Sequence, residues 1–499
     1  MSEIVPRWEW RTFDRQFGRA ETTLAALSPV QVVESSELYV VSAAGEGVVK
    51  VRDELMDVKQ LHEVDADGLE RWSPVLKAPF PLSSTDLATV VQALGVELTS
   101  PPARTTYSWA ELLVEVVDPQ PDLLAVEVHK TRRRFKLGGC QAELTDVRTD
   151  HGSTRTLAVE SESAESVMAA VAELGLVTRP NVNYSRALRV LARFGVERCA
   201  VVDVGTNSVK FHIGERNADG VWRRVVDRAE VTRLGDGLEE SGRLNPEPMA
   251  RTVEAIAGMA SEAKAQRVAA IAAVGTAGLR IAPNRQDFVD AVEARCAVHV
   301  DVISGEDEAR LAYLAAVAGL GLKGRGSRVV FDTGGGSSQF SFGDGDRVTE
   351  RFSVEVGAVR FTEQYALDGE VSPDVLAGAL GAIEQDLGRL RGHGTPETLV
   401  GMGGAVTNLA AVRHALPAYD PDVVQGTVLD AAEIERQIEL YRTHTADQRR
   451  EVVGLQPARA EVILAGALIV RTVLRVLGKD SLTVSDRGLR YGVLSERFG

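Results

Sequence analysis

Apolar and charged positions alternate along much of the first 180 residues. In Arg7-Trp8-Glu9-Trp10-Arg11-Thr12-Phe13 one parity is charged and the other apolar, the period of a β-strand with one charged face. The same period runs through Val49-Lys50-Val51-Arg52 and Asp57-Val58-Lys59. It returns from Ala125 to Lys130 and on through Arg132, Arg133 and Arg134, then from Ala142 to Val147 and from Leu157 to Glu162. Ala164 to Leu174 switches to helical spacing and stops at Gly175. A solvated outer face accounts for charges on one strand. Here the basic residues Arg11, Lys50, Arg52, Lys59, Lys130, Arg132 and Arg134 and the acids Glu9, Glu143, Glu160 and Glu162 recur strand by strand with mixed sign. A barrel with both signs in its lumen accounts for them as well. Such a lumen suits a polyphosphate that arrives with Mg²⁺: cations on the phosphates, and Glu143, Glu160 and Glu162 on the metal.

The pattern changes after Pro180. PNVNYSRALRVLARFGVE reads as a linker with a short amphipathic helix over 181–198. Beyond it, buried apolar runs at Cys199, Phe211, Val268, Val298 and Val329 alternate with helical stretches such as Met249 to Lys264, which is an α/β pattern. Two of these strands end in the same way. CAVVDVGTNSV ends in Asp203, Gly205, Thr206, Asn207 and Ser208; VVFDTGGGSSQF ends in Asp332, Gly334, Gly335, Gly336, Ser337 and Ser338. Glycine lets a ligand approach the backbone, and successive free N–H groups form a concave anion site. One such turn is equally a tight hairpin. Two, each preceded by an acid able to hold the Mg²⁺ that accompanies phosphate, point to two lobes serving one phosphate site. LVGMGGAVTNL adds Gly403 and Gly404 in a third turn. Arg280 presents a planar fork to a phosphate oxygen, or a surface ion pair. Glu308 opens a helix at Glu306-Asp307-Glu308, where an acid has a capping benefit and also the reach of a general base.

Composition narrows the classes. At 499 residues the chain holds about three domains of roughly 150 residues. The formal charge of −15 argues against nucleic acid held by a global field, and leaves room for a local basic cluster. Three scattered cysteines, Cys140, Cys199 and Cys296, read as reduced thiols. The first residues lack an apolar signal core, and no apolar run is long enough to span a bilayer. The expectation is a cytoplasmic protein with no membrane and no nucleic-acid partner.

The motifs carry two resemblances. Residues 5 to 178 resemble the CYTH family of triphosphate-tunnel proteins through WEWRTF, KVRDELMDVKQL, AVEVHKTRRRF, AELTDV and AVESES. The family opens Glu-x-Glu-x-Lys, whereas Arg7, Glu9 and Arg11 stand here, which favours binding over metal-dependent hydrolysis in this domain. Residues 199 to 499 are identified as a short form of the exopolyphosphatase/guanosine pentaphosphate phosphohydrolase family. The carrying stretches are VVDVGTNSVKFHI, RLGDGL, AVGTAGLR, ISGEDEARLAY, VVFDTGGGSSQF, VGMGGAVTNLA, GLQPARAEVILAG and VSDRGLRYGVL.

Together they imply an antiparallel α+β barrel at 1–180 and a two-lobed acetate kinase/actin/Hsp70-like (ribonuclease H-like) α/β phosphatase. Its lobes fall at 199–323 and 324–499, with the site in the cleft. They imply Glu308 as general base and Asp203 and Asp332 as ligands of Mg²⁺ or Mn²⁺. Phosphate would be cradled by the glycine turns and the basic strands. A homodimer is common in the second family. The family places Glu after Gly-Gly-Gly-Ser-Thr; Gln339 stands there, uncharged, which implies slower hydrolysis or an altered metal demand. The function expected is exopolyphosphatase. A guanosine pentaphosphate 5′-phosphatase or triphosphatase, and a polyphosphate- or alarmone-binding regulator with little turnover, are the alternatives.

Overall fold

A computed structural model describes residues 6–499 other than 207, 219 and 323, and the side chains of all of these but Glu239 and Glu240. The chain divides into two compact units, one running up to Ile303 and including Arg497–Gly499, the other Ser304–Glu496.

The first unit opens with the alternating strands. β1 (Arg7–Asp14), β2 (Gln31–Ser42), β3 (Val48–Arg52), β4 (Leu55–Val64), β5 (Glu70–Pro79), β6 (Leu123–Leu137), β7 (Cys140–Thr149) and β8 (Gly152–Ser161) form a closed barrel. Its order is β1-β8-β7-β6-β2-β3-β4-β5 and every neighbouring pair is antiparallel. This is the barrel that the charge alternation and the CYTH resemblance predict; β2 and β5 are strands that the alternation did not mark. Strand period two decides which side chains face out. Trp10, Phe135, Ala142, Leu144, Leu157 and Val159 pack under α1 (Arg19–Ala25) and α3 (Ala164–Glu173). Val40, Val49, Met56 and Val58 pack under α2 (Ser84–Leu94), which lies between those helices in the chain. The opposite parity points inward. Along β6 it reads Leu124, Val126, Val128, Lys130, Arg132, Arg134, apolar at one end and cationic at the other.

The segment after the barrel is helical, as its pattern predicts, but it is buried rather than solvated. In α4 (Tyr184–Leu191) the residues from Tyr184 to Arg189 are all buried. Asn183 caps it by accepting from the Arg186 amide, worth about 1 kcal/mol. Tyr184 and Leu188 insert into the apolar end of the barrel with Tyr39, Val41, Val126, Val128 and Val147. On the other side, Arg189 donates to Glu197 at 2.6 and 2.9 Å, and Arg186 donates to the same carboxylate at 3.3 Å.

Glu197 begins β9 (Glu197–Val204). With β10 (Ser208–Arg216), β11 (Trp222–Val231), β12 (Ala270–Gly275) and β13 (Val300–Val302) it forms a sheet of order β11-β10-β9-β12-β13. Two antiparallel pairs join two parallel ones. α5 (Pro246–Ala265) and α7 (Arg285–Cys296) cover it, with the short α6 (Ala277–Ile281) between them in the chain.

The second unit repeats the scheme. α8 (Gly305–Gly319) precedes β14 (Ser327–Thr333), β15 (Ser338–Asp344), β16 (Arg347–Val354), β17 (Thr398–Met402), β18 (Val428–Asp430) and β19 (Ser481–Val484). Their order is β16-β15-β14-β17-β19-β18. α9 (Ala358–Tyr365), α10 (Gly403–Arg413) and α11 (Ile463–Val476) pack on it, and α11 is buried along almost its whole length. No helix among the described residues is long and apolar enough to cross a membrane.

Glu197 is buried with two guanidinium groups as its partners, so removing it strands both charges. Glu197→Ala is expected to cost about 3–5 kcal/mol, read as a lower urea midpoint of the full chain. A loss below about 1 kcal/mol shows that the pair does not hold α4 to β9.

Candidate functional site

Three groups of expected site residues occupy three places: the barrel lumen, the turn after β9 and the turn after β14.

In the lumen all seven expected cations face inward, and they meet carboxylates. Glu37, whose side chain is 0% exposed, sits 3.0 Å from Lys130, 3.4 Å from Lys50 and 3.7 Å from Arg52, and also binds Arg132. Glu9 accepts from Arg11 at 2.7 Å and lies 4.0 Å from Lys59. Glu143 lies 3.5 Å from Arg134, 3.8 Å from Arg132 and 3.9 Å from Arg11. Exposure grades along the strand, from 30% for the Arg134 side chain through 6% for Arg132 to 1% for Lys130. The charged half is thus a cup, open near Arg134 and closed beyond Lys130 by the apolar half.

The electrostatics follow from crowding in low dielectric. Burial works to raise the Glu9 carboxyl, but Arg11 and Lys59 pull it down to about 2. Glu37 is held far below the carboxylate range: burial opposes ionisation, and Lys130, Lys50 and Arg132 outweigh it. Burial, against the pull of Glu37, pushes Lys130 well below its usual value.

The three carboxylates expected on a metal are not brought together. Glu143 is taken by arginines, Glu160 pairs with Arg7 at 3.3 Å, and Glu162 is exposed beyond the end of β8. Among the described residues no three His, Cys, Asp or Glu side chains group as a metal cage. With their oxygens already on cations, the lumen carboxylates do not fit a resident metal. Glu37 and Asp57 are lumen acids that the sequence reading missed. The signal for Glu37 was the run Glu37-Leu38-Tyr39, an alternating end to a strand whose first half (QVVESS) does not alternate cleanly.

At the turn after β9, Asp203 is buried, with Lys210 directly opposite in register and 3.6 Å away. The Gly205 amide donates to the Ser208 carbonyl at 3.1 Å. Asn207 lies outside the described residues. Thr206 is clasped by two other loops: its carbonyl accepts from the Gly235 amide at 2.8 Å, and a Cβ at Gly235 or Gly278 would run into its side chain. RLGDGL and GTAGLR therefore converge on the turn, and they need glycine to come so close. Arg280 follows on α6, donating from Nη1 to the Ile303 carbonyl at 3.2 Å.

The turn after β14 repeats the geometry. The Gly334 amide donates to the Ser337 carbonyl at 2.9 Å, the same bond as Gly205 to Ser208. Gln339 stands opposite Asp332, where Lys210 stands opposite Asp203. Its amide donates to the Ser337 hydroxyl at 2.9 Å. The first amides of α9 are spent on this turn, Ala358 donating to Gly334 and Val359 to Gly335. Ser338, expected on phosphate, is fully buried and donates to the Val356 carbonyl at 2.6 Å, so it braces the turn. Gly335 and Gly336 present backbone instead. Gly403 reaches the same place: at φ +89° it lies so close that a Cβ would strike Asp332 Oδ1. The exposed Arg459 guanidinium lies against Gly404, a cation that the reading quoted within its motif but did not assign. Glu308 is half-buried in the first turn of α8, behind the Ser304 cap. Asp486, in the last motif, accepts from Tyr419 at 2.6 Å and takes a structural part.

Two α/β sheets with matching Asp-Gly turns define a protein of the actin-like fold class. The Ppx/GppA phosphatase family model matches residues 215–498, more than half of the chain, and the chain belongs to that family. It is 30% identical over 319 residues to exopolyphosphatase 2 of Mycobacterium tuberculosis, covering 59% of this chain and 97% of that one. It is 28% identical to the guanosine-5′-triphosphate,3′-diphosphate pyrophosphatase of Aliivibrio fischeri, over 60% of this chain. This chain spans only 59% of that protein's length. Among solved structures, the type II variant of the Aquifex aeolicus Ppx/GppA phosphatase matches with TM-score 0.56 and 32% identity, over 61% of this chain and all of that one. These relatives match the phosphatase part, as the second resemblance predicts.

One lumen-side acid has a titration consequence. Glu70, buried at the start of β5, accepts from Trp72 at 3.2 Å and from Asn183 at 3.3 Å, with Arg267 3.9 Å away. Burial, then Glu46 and Glu9, push its carboxyl up to about 7 against the pull of Arg186 and Asn183. The folded state therefore holds this proton more tightly than the unfolded chain. Stability from this group is full below its ordinary pKa of 4.5 and is lost as pH rises to about 7. Glu70→Gln is expected to remove that fall, so its Tm drops less than that of the wild type between pH 5 and pH 8. Parallel Tm profiles refute it.

Proposed function

We propose that this protein is an exopolyphosphatase that hydrolyses terminal phosphoanhydride bonds of inorganic polyphosphate, with the barrel binding the chain. The observation that carries the reading is the pair of matching turns. Each follows a strand ending in Asp, and each is closed by the same amide-to-carbonyl bond, in a chain of the Ppx/GppA family. Phosphoanhydride hydrolysis needs phosphate oxygens held by N–H groups and cations, and a water oriented for attack; positioning and electrostatics carry most of the barrier reduction. Backbone N–H groups at Gly335 and Gly336, with Arg459 beside Gly404, meet the first need. Glu308 accepts the proton of the water as general base.

Asp203 and Asp332 are each a hard oxygen donor of the kind that would hold Mg²⁺ together with phosphate oxygens and water. When bound, Mg²⁺ supplies charge neutralisation on the phosphates. The barrel supports capture because seven cations face six acids (Glu9, Glu37, Asp57, Glu70, Glu143, Glu160), leaving a cationic excess for a polyanion.

A second reading, guanosine pentaphosphate 5′-phosphatase, is favoured by the Aliivibrio relative, whose name states that activity class. Gln339 favours a third, a binding protein with little turnover. Competition between long-chain polyphosphate and guanosine pentaphosphate separates the first two.

Wild-type protein is expected to release orthophosphate from long-chain polyphosphate with Mg²⁺ or Mn²⁺, and Glu308→Gln to lower the rate at least about a hundredfold. Binding without release under either metal rejects the hydrolase. Gln339→Glu places a charge opposite Asp332, and is expected to lower the Mg²⁺ concentration giving half-maximal release. An unchanged Mg²⁺ titration shows that this position does not set metal demand.

A further inference from the structure

The charged cup of the barrel ends on a residue that the barrel does not supply. Tyr184, from α4, lies beneath Lys130, whose Nζ is 3.7 Å from its ring centroid, and Arg11 sits 4.7 Å from the same ring. The ring stacks on Tyr39 at 5.3 Å and meets the edge of Phe13 at 5.2 Å, so its position is fixed. Its hydroxyl is buried and has no hydrogen-bond partner. A buried hydroxyl is ordinarily paired, and an orphan on a ring that lies against two cations is a donor waiting for an acceptor. Glu37 and Glu143 also act on this hydroxyl, but the two cations over its ring and the cationic excess of the lumen favour an anionic acceptor. A phosphoryl oxygen is such an acceptor, next to Lys130, which already donates to Glu37 and to the Tyr39 hydroxyl.

We propose that Tyr184 completes the anion site of the barrel, contacting the end of a linear oligophosphate, and that through it α4 reads whether the lumen is occupied. The proposal rests on the reading of the barrel as a phosphate-chain binder, and deepens it in two ways. First, the inward face turns apolar beyond Lys130, so a chain entering from the Arg134 side stops at Tyr184 and is held by its terminal phosphate. Second, the helix that carries Tyr184 is bonded on its other side to the phosphatase sheet. Arg189 and Arg186 hold Glu197, the first residue of the strand that ends in Asp203–Val204. Arg216, on the neighbouring strand, donates to the Arg189 carbonyl at 2.9 Å. A displacement of Tyr184 is therefore passed through buried bonds to β9, and the barrel acts as an effector site as well as a capture site.

The test uses the full chain in EDTA, with inorganic tripolyphosphate as probe and calorimetry for affinity. Tyr184→Phe keeps the ring and removes only an unpaired hydroxyl, so without ligand its Tm is expected to equal or exceed that of the wild type. Its affinity for tripolyphosphate is expected to fall about tenfold, the loss of one hydrogen bond to a charged group. Equal affinity overturns the contact. No binding by the wild type rejects the underlying reading of the barrel instead.

Hydrogen exchange reads the coupling. Tripolyphosphate is expected to slow exchange in α4 and along β9 in the wild type, and in the barrel strands alone in Tyr184→Phe. Slowing confined to barrel strands in the wild type overturns the coupling. So does slowing in β9 that survives Lys50→Met, because the anion then acts from elsewhere.

Discussion

Seven cations packed inside one small barrel repel one another, and the rest of that barrel is arranged to balance them. Glu37 carries most of this task. It is fully enclosed, and four cationic side chains converge on it. Near the deep end of the lumen water cannot screen the repulsion, so the counter-charge must be covalently part of the protein. Toward the mouth, Lys59, Arg52 and Arg134 are about a third exposed and are screened by solvent. Arg132 also reaches Glu143 and Lys50 reaches Asp57, yet the seven cations still outnumber the acids of the lumen. The same imbalance that strains the lumen makes it attractive to an anion with several charges.

The two turns solve a different problem, which is how to offer backbone N–H groups without losing the loop. Each turn is closed by its own amide-to-carbonyl bond and then wedged by neighbouring loops. Thr206 is held between Gly235 and Gly278, and Asp332 is pressed by Gly403. The spare hydroxyl of Ser338 and the first amides of α9 are spent on bracing. The turns differ in the residue across from the acid, Lys210 in one and Gln339 in the other. Lys210 brings a charge opposite Asp203. Gln339 brings hydrogen bonding alone opposite Asp332, so the two turns are electrostatically unequal although their backbones match.

The barrel, the two α/β sheets and the turns were legible because each is a local pattern: period two with charges, apolar strands, and Asp-Gly sequences at strand ends. What escaped depends on distant partners. Ser338 looks like any hydroxyl in a phosphate turn until its bond to Val356 is seen. Glu162 continues the alternation in sequence, but β8 ends at Ser161 and releases it to solvent. Glu37 lies in a strand whose outer half is exposed on one face and no more than half-buried on the other, so its alternation is weak. Arg459 is more than fifty residues from the glycine it touches. The arginines of α4 fall in a stretch that reads as a linker with a short amphipathic helix, and only Glu197 and the carbonyls around them explain why they are inside.

That last case decides how the barrel relates to the sheet that follows it. A tethered module would be joined by an exposed, flexible linker with few bonds across it. Here Arg189 donates to the Ser42 carbonyl at 3.2 Å and to the Gly45 carbonyl at 2.6 Å, in the barrel, while holding Glu197 of the sheet. The Val196 amide donates to the Ala43 carbonyl at 2.9 Å, and Gly195 packs so tightly there that a Cβ would meet the Ala43 backbone. Swinging the barrel away would expose or orphan each of these buried groups at once, at a cost well beyond thermal energy. The barrel and the first phosphatase sheet are therefore one mechanical body, and any force applied at the lumen floor is borne by the strand that ends in Asp203.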